Sequence, residues 1–422
     1  MRYIFQYILK ILAKLTLQKY RPIIIGITGS VGKTSTKEAI YKALKKRFRT
    51  RKSIGNYNAE IGVPLTILGL ETGGRSIIAW LINFLKAIFL IIWKRNYPEI
   101  LVLEMAVDKP GDMKYLINFV PVNIGVVTAI GQFPSHLEFF PEKDKLVEEK
   151  SLLVKSLKKD GLAVLNYDDL SVRMIGDELP DKIKVDYYGF GDGADLKIMN
   201  YKLFINDLNK RDFGVSFKID YKGSVVPIIL NRVFGKQQAF AVAAAARIGL
   251  FFGLNLVEIA TSMRKYRSLP GRTKLIKGIK NTWIVDDTYN ASPLSVIAGL
   301  DILQEIANDN FRKIAVLGDM LELGIDTEVG HRQVGQKSAS IVDLLFVVGE
   351  RARFISNEAE KQGLSKDKIF EFSDVEQAAL AVQEKMEKGD IVLIKGSRAM
   401  HLEKVVKEIM AKPEKAGKLL VG

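Results

Sequence analysis

Residues 26–35, GITGSVGKTS, bring together three glycines, one lysine and four hydroxyls. Glycines placed between an apolar run and a helix let backbone N–H groups converge on phosphate oxygens. Here the cradle would be Gly29-Ser30-Val31-Gly32-Lys33-Thr34, with Ser35 beside it. Lys33 would neutralise the outer phosphates of ATP, and the Thr34 hydroxyl would ligate Mg2+. The strict phosphate-loop pattern is not met, because residue 27 is isoleucine and Gly26 lies one position further back. Mg2+ at such a site takes a further oxygen, usually from a carboxylate on a neighbouring strand. Glu104, closing the apolar run EILVLEM, is of the right type.

Other reactive side chains are sparse. Of the three histidines, His136 follows the apolar run IGVVTAI and so falls on the same edge as the phosphate loop. Lys150 lies fourteen residues later in a helical stretch, and taken alone it reads as a solvated helix lysine. Further on, VDDTYN sets Asp286 and Asp287 at the end of a strand, with Tyr289 and Asn290 behind them. Carboxylates there suit ribose hydroxyls, and an aromatic ring suits an adenine face. Arg272, in the PGR turn, could reach phosphate across a domain boundary.

Apolar runs recur with helical stretches between them: IIIGIT, EILVLEM, IGVVTAI and LAVLNY. This rhythm predicts an α/β fold, with a mostly parallel sheet covered by helices. Residues 194–230 alternate and carry turn residues, which predicts antiparallel strands added to that sheet. After the break at Pro270 and Gly271 the rhythm restarts with WIVDDT, RKIAVLGDM, DLLFVVGE and DIVLIKGS. The expected organisation is an amphipathic helix (1–22), a central ATP-binding domain (23–270) with an apolar helical insertion at 76–95, and a smaller Rossmann-like domain (271–422). None of the later turns carries a GxGxxG fingerprint, which argues against NAD.

The absence of cysteine excludes disulfides, thiolate metal sites and a thioester intermediate. A net charge of +15 points to anionic partners. Its lysines are scattered and no RNA- or DNA-binding motif appears, which argues against nucleic acid. Ile4, Ile8, Ile11, Leu12 and Leu15 fall on one helical stripe, with Lys10 and Lys14 opposite; the expectation is a helix packed on the domain that follows, with a membrane surface as the alternative. Residues 76–93 approach the length of a bilayer span but are interrupted by Asn83 and Lys86 and closed by Lys94 and Arg95. A span would separate the phosphate loop from everything after residue 98. An interfacial helix, or one packed in the protein, is expected instead.

In order along the chain, GITGSVGKTSTKE, GNYNAEIGVPLTIL, LEMAVDKPGDM, SHLEFF, PGR, DDTYNASP, VLGDMLELG and KGSRAMHLEKVV resemble the Mur ligase family, above all its members that add D-alanyl-D-alanine to a muramoyl tripeptide. The resemblance covers roughly residues 23–410. It implies an ATP-dependent amide ligase of cell-wall (peptidoglycan) precursor synthesis, acting in the cytoplasm or at the inner face of the membrane and releasing ADP and phosphate through an acyl phosphate. It also implies two Mg2+ ions, the first held by Thr34 and Glu104 and the second by His136. Lys150 aligns with a family lysine that CO2 converts to a carbamate, and residues 395–401 would help to place the incoming amine. Lys33, Glu104, His136 and Lys150 thus become the expected catalytic set. Gly29, Ser30, Gly32, Thr34, Ser35, Arg272, Asp287, Tyr289 and Asn290 become the expected nucleotide contacts.

Three departures qualify what is implied. Only about 22 residues precede the first strand, where the family carries a domain for a uridine diphosphate sugar. The expected substrate is therefore a nucleotide- or lipid-linked muramoyl peptide, joined to an amino acid or dipeptide. Gln237, Gln238 and Ala241 replace the family's His and Asn, so adenine recognition there must differ. Residues 76–93 look like an insertion. The competing readings are a related ligase for another precursor and a membrane-associated phosphate-loop module without ligase activity. Glu104, His136 and Lys150 argue against the latter, since a motor or switch needs no carbamate-bridged second metal.

Overall fold

The computed structural model describes residues 2–55, 57, 59–93, 96–307 and 311–421, apart from the side chains of residues 2–4. The Ile4 side chain, Asn56, Asn58, Lys94 and Arg95 lie outside the described residues.

The first sheet contains β1 (Ile23–Thr28), β2 (Thr50–Lys52), β3 (Ile100–Glu104), β4 (Ile124–Val127), β5 (Leu162–Asn166), β6 (Lys184–Gly189), β7 (Leu196–Asp207), β8 (Asp212–Tyr221) and β9 (Ser224–Asn231). Their spatial order is β2-β3-β1-β4-β5-β6-β7-β8-β9. Every pair up to β6–β7 is parallel, and the last three strands form the expected antiparallel extension. All residues of β3, β4 and β5 are buried, as continuous apolar runs require when helices cover both faces.

A second sheet contains β10 (Lys274–Lys277), β11 (Trp283–Asp286), β12 (Lys313–Gly318), β13 (Leu344–Val348), β14 (Ile369–Phe372) and β15 (Ile391–Lys395), in the order β10-β11-β15-β12-β13-β14. The four strands expected from the apolar runs are its parallel centre. The short edge strands β10 and β14, like β2 and β6 in the first sheet, were not among the expected runs.

Helices α1 (Arg2–Tyr20), α2 (Lys33–Leu44), α3 (Gly62–Leu68), α4 (Ile77–Ile92), α5 (Asp112–Ile117), α6 (Lys143–Lys155), α7 (Leu170–Asp177) and α8 (Lys236–Phe251) dress the first sheet. Two glycines set the approach of α6. Gly26 lies within β1, not in the phosphate cradle, and a Cβ there would stand 2.8 Å from Leu153 Cδ1. Gly125 in β4 makes the same room for Val154, at 2.7 Å. The alanine-rich helix α8 packs as closely against α2.

The face that α1 packs is not the one expected. Leu9, Ala13, Thr16 and Leu17 are buried, whereas Ile8, Ile11 and Leu15 are exposed. The helix is apolar on two stripes, and the one bearing the smaller Ala13 and Thr16 fits closely against its neighbours. Lys10, expected to face water, lies 4.7 Å from the Tyr115 ring centroid. Helix α4 turns Asn83 and Ala87 inward, Asn83 donating to Glu71 O at 2.8 Å, and leaves its apolar side exposed. No helix among the described residues is long and apolar enough to cross a membrane.

Leu9 joins Leu65, Leu68, Leu70 and Ala87 in one cluster. Leu9→Ala is expected to destabilise the protein by about 2–5 kcal/mol in urea unfolding. Tyr7→Ala on the exposed side should change stability by no more than about 0.5 kcal/mol. Equal effects would contradict the assigned face.

Candidate active site

Beyond β1 the chain turns through Gly29 (φ 135°) and Gly32 (φ 92°) into α2. A Cβ on Gly29 would stand 2.1 Å from Thr128 Oγ1, so backbone angle and space both require glycine there. Ser30 and Val31 donate their N–H groups to Ala129 O at 2.7 and 3.0 Å, which pins the loop beside the end of β4. Lys33 Nζ donates to Gly29 O at 2.7 Å and Ser30 O at 3.3 Å, holding the ammonium inside the loop. Burial lowers the Lys33 pKa, against the pull of Glu104. Ser30 Oγ is buried and has no hydrogen-bond partner among the described residues. Such a donor is of the kind a phosphate oxygen satisfies.

Glu104 ends β3 directly beside this loop. Its Oε1 accepts from Thr34 Oγ1 at 3.1 Å, and its Oε2 lies 3.0 Å from Lys37 Nζ. Burial works against the charged carboxylate, but Lys37, Lys33 and Arg272 outweigh it and hold the group below its usual range. Arg272 comes from the far side of the Pro270–Gly271 break. Its Nη2 donates to Thr34 Oγ1 at 2.9 Å, and its guanidinium lies 4.0 Å from the Tyr289 ring centroid. Thr34 and Glu104 thus offer two adjoining oxygen donors, one of them ionised, which suits Mg2+. No group of three or more His, Cys, Asp or Glu residues able to hold a metal occurs among the described residues. Mg2+ bound there would complete its shell with phosphate and water.

His136, with φ 72°, presents Nδ1 to Glu322 Oε2 at 2.7 Å and Nε2 to Asp108 Oδ1 at 3.6 Å. The hydrogen bond to His136 holds Glu322 below the usual carboxylate range. Both ring nitrogens of His136 thus already face a carboxylate. Lys150 does not line the cavity that the other site residues share. It is 1% exposed on α6 and makes no hydrogen bond or ion pair among the described residues, so it is not the solvated lysine its sequence suggests. Burial, assisted by Lys33, lowers its pKa to about 7.

In the second body, Asp286 is fully buried. It accepts from Gly271 N at 3.0 Å and Thr288 Oγ1 at 2.7 Å, and burial raises its pKa to about 6. Asp287 faces the cavity, with Oδ1 accepting from Thr273 N at 2.9 Å and Oδ2 2.6 Å from Lys395 Nζ. Lys395 also donates to Asn290 O at 2.8 Å. It thereby braces the Asp287–Asn290 loop. Asp168 accepts from the backbone N–H groups of Phe190 and Gly191 at 2.7 and 2.8 Å, a turn brace. Gln238 accepts from the Tyr266 hydroxyl at 2.6 Å.

One cavity of about 1200 Å3 is lined by Lys33, Glu104 and His136 from the first body and by Arg272, Asp287 and Lys395 from the second. Sequence reasoning passed over Lys37, Asp108 and Glu322. Each lay inside a quoted motif, and Lys37 sits one helical turn beyond Lys33, a spacing that could have marked it.

A phosphate loop backed by a buried carboxylate and faced by a second Rossmann-like body defines a nucleotide-dependent enzyme of the Mur ligase kind. The chain belongs to the Mur ligase family: the Mur ligase middle domain matches residues 27–80 and 84–249, and the Mur ligase glutamate ligase domain matches residues 271–398. It is 30% identical over 405 residues to the UDP-N-acetylmuramoyl-tripeptide–D-alanyl-D-alanine ligase of Bacillus subtilis, covering 95% of this chain and 79% of the relative. The crystal structure of a MurF ligase from Thermotoga maritima in complex with ADP superposes with a TM-score of 0.77 at 27% identity, covering 97% of this chain and 84% of that one. A pseudomurein peptide ligase type C from Methanothermus fervidus shares the fold, with a TM-score of 0.63 at 18% identity and coverage of 92% and 79%.

Removing one partner of a buried ion pair leaves an uncompensated charge. Lys37→Met is expected to cost about 3–5 kcal/mol of stability in urea unfolding. Lys37→Met combined with Glu104→Leu should recover part of that loss. A double variant no more stable than Lys37→Met would show that the pair is not the source.

Proposed function

We propose that this chain is an ADP-forming ligase that joins D-alanyl-D-alanine to the terminal carboxylate of a nucleotide-linked muramoyl peptide. Residues 23–270 and 271–422 would be its two working domains. The observation that carries the reading is Arg272, reaching from the second body to the Thr34 hydroxyl beside Glu104. That arrangement gathers cationic, hydroxyl and carboxylate groups around one point, as phosphoryl transfer requires.

The acceptor carboxylate oxygen attacks the γ-phosphorus; the new O–P bond forms as the bond to the β-phosphate bridging oxygen breaks, and ADP leaves. The amine nitrogen then attacks the acyl carbon. A C–N bond forms, the C–O bond to phosphate breaks, and the amine loses a proton as phosphate departs. Lys33 and the loop amides would hold the outer phosphates, with Arg272 beside Thr34 on the opposite wall. Asp287 and Tyr289 would take the ribose and base side of the nucleotide. Mg2+ at Thr34 and Glu104 would supply charge neutralisation of the phosphates. A second ion would sit by His136.

Lys150 is the residue we assign to carbamylation. Only a neutral amine attacks CO2, and this one is buried, unpaired among the described residues and lowered in pKa to about 7, so that much of it is neutral near pH 7. The carbamate forms by a C–N bond from Nζ to CO2 with loss of one proton, and yields an anionic oxygen donor. A lipid-linked acceptor is the second reading, favoured by the exposed apolar side of α4.

With ATP, Mg2+ and a panel of muramoyl peptides on nucleotide or lipid carriers, ADP release is expected to depend on D-alanyl-D-alanine, and the product mass should equal the sum of both substrates less water. ATP turnover indifferent to every amine would refute ligation. Lys150→Ala should lower kcat roughly hundredfold or more, with partial recovery on adding a short carboxylic acid. Undiminished activity of that variant would rule out the carbamate.

A further inference from the structure

The outward side of α4 is a continuous apolar surface. Ile78, Leu81, Ile82, Leu85, Phe89 and Ile92 are all exposed, from 38% at Phe89 to 72% at Ile78. Trp93 follows, half exposed, and stacks on Phe89 with ring centroids 4.2 Å apart. In a water-facing helix polar residues should line the outer side, yet here Asn83 points inward and, apart from Lys86, large apolar residues line the outside. The surface continues onto α1. Phe5 packs on Trp80 and Phe84, and Lys19 Nζ closes the end of α4 by donating to the carbonyls of Ile91 and Trp93 at 2.8 and 2.9 Å. The exposed Ile8 and Leu15 lie on the strip of α1 adjoining Phe5, Leu12 and Lys19.

Neither α1 nor residues 75–93 contain an acidic residue, whereas they carry Lys10, Lys14, Lys19, Arg75 and Lys86. Lys86 is exposed on α4 itself, and the sequence runs on directly into Lys94 and Arg95. We propose that this face docks on an anionic lipid surface, with α4 lying in the interface. At 16 residues α4 falls short of the roughly 20 needed to span, which suits a helix lying flat. Leu, Ile and Phe side chains enter the acyl boundary, Trp93 sits at headgroup level, and the lysines meet lipid phosphates. A second copy of the chain fits less well. A two-fold contact would set these cations against their own copies with no acid in either helix to offset them.

The test uses the full chain and does not depend on the ligase reading, since ligation of soluble substrates is measured separately without vesicles. Co-sedimentation is expected with phosphatidylglycerol-containing vesicles and not with phosphatidylcholine alone. Leu81→Glu combined with Leu85→Glu should lower the affinity roughly tenfold or more, and Lys86→Glu about fivefold. Val257→Glu, at an exposed apolar site on another helix, should bind as the parent does. Trp93 fluorescence of the unaltered protein should shift to the blue on vesicle addition, and Trp93→Phe should remove that shift, which keeps the test independent of any unstable variant. Absence of both sedimentation and the shift would overturn the proposal, as would equal binding by the double variant. A dimer in sedimentation velocity that Leu81→Glu with Leu85→Glu dissociates, without vesicle binding, would overturn it in favour of self-association.

Discussion

Glu104 is almost wholly buried, yet its carboxylate stays ionised because Lys37 Nζ stands 3.0 Å from one oxygen while the Thr34 hydroxyl donates to the other. A lone carboxylate at that depth would lose its charge instead, since desolvation disfavours the ionised form. Lys37 also donates to Gly55 O, and Ser53 Oγ accepts the Glu104 N–H. One residue therefore fixes helix α2, strand β3 and the segment after β2 relative to each other. The hydroxyl it anchors is the one Arg272 reaches from the other body. Loss of this charge balance would release the phosphate loop, the oxygen donors beside it and the contact that closes the cavity.

The two bodies meet in two chemically different ways. Away from the cavity, Leu208, Phe213 and Phe234 share a buried cluster with Trp283, Leu300 and Leu303, and the Phe213 and Phe234 rings stack at 4.8 Å. Around the cavity the contacts are polar: Arg272 to Thr34, His136 to Glu322, and Glu138 N–H to Glu322 O at 3.2 Å. An apolar seam resists separation at all times, whereas polar contacts exchange readily with water or a charged ligand. Arg272, Thr34, His136 and Glu322, which make these polar contacts, all line the cavity, where a charged ligand would meet them. A ligand there can bias the arrangement of the bodies only through differential affinity for their states, and these are the contacts where such a difference arises.

Much of this was legible in the sequence because continuous apolar runs and glycine turns are strong local signals. β1, β3, β4 and β5 lay where the runs were, and so did the four central strands of the second sheet. The short polar strands β2 and β6 were silent, since their pairing partners and not their own composition make them strands. Ile8, Ile11 and Leu15 misled for a related reason. Periodicity shows that a face is apolar but not which of two apolar stripes meets the protein. At the site, residue types fell where the motifs put them, while their partners came from distant segments. Glu322 stands 186 positions from His136, and no local pattern connects them.

Three lysines illustrate why partners matter more than residue type. Lys33, Lys37 and Lys150 all serve the same region, and each carries the same amine. Lys33 is held by loop carbonyls, which keep a donor-rich ammonium where phosphate oxygens would compete for it. Lys37 is paired to Glu104, so its charge is committed to structure. Lys150, buried on α6, has neither carbonyl nor carboxylate on its amine among the described residues. Burial, with Lys33 nearby, lowers its pKa to about 7, so a substantial share of this amine is neutral near pH 7. The same residue type thus reaches three different states because the groups around each amine differ.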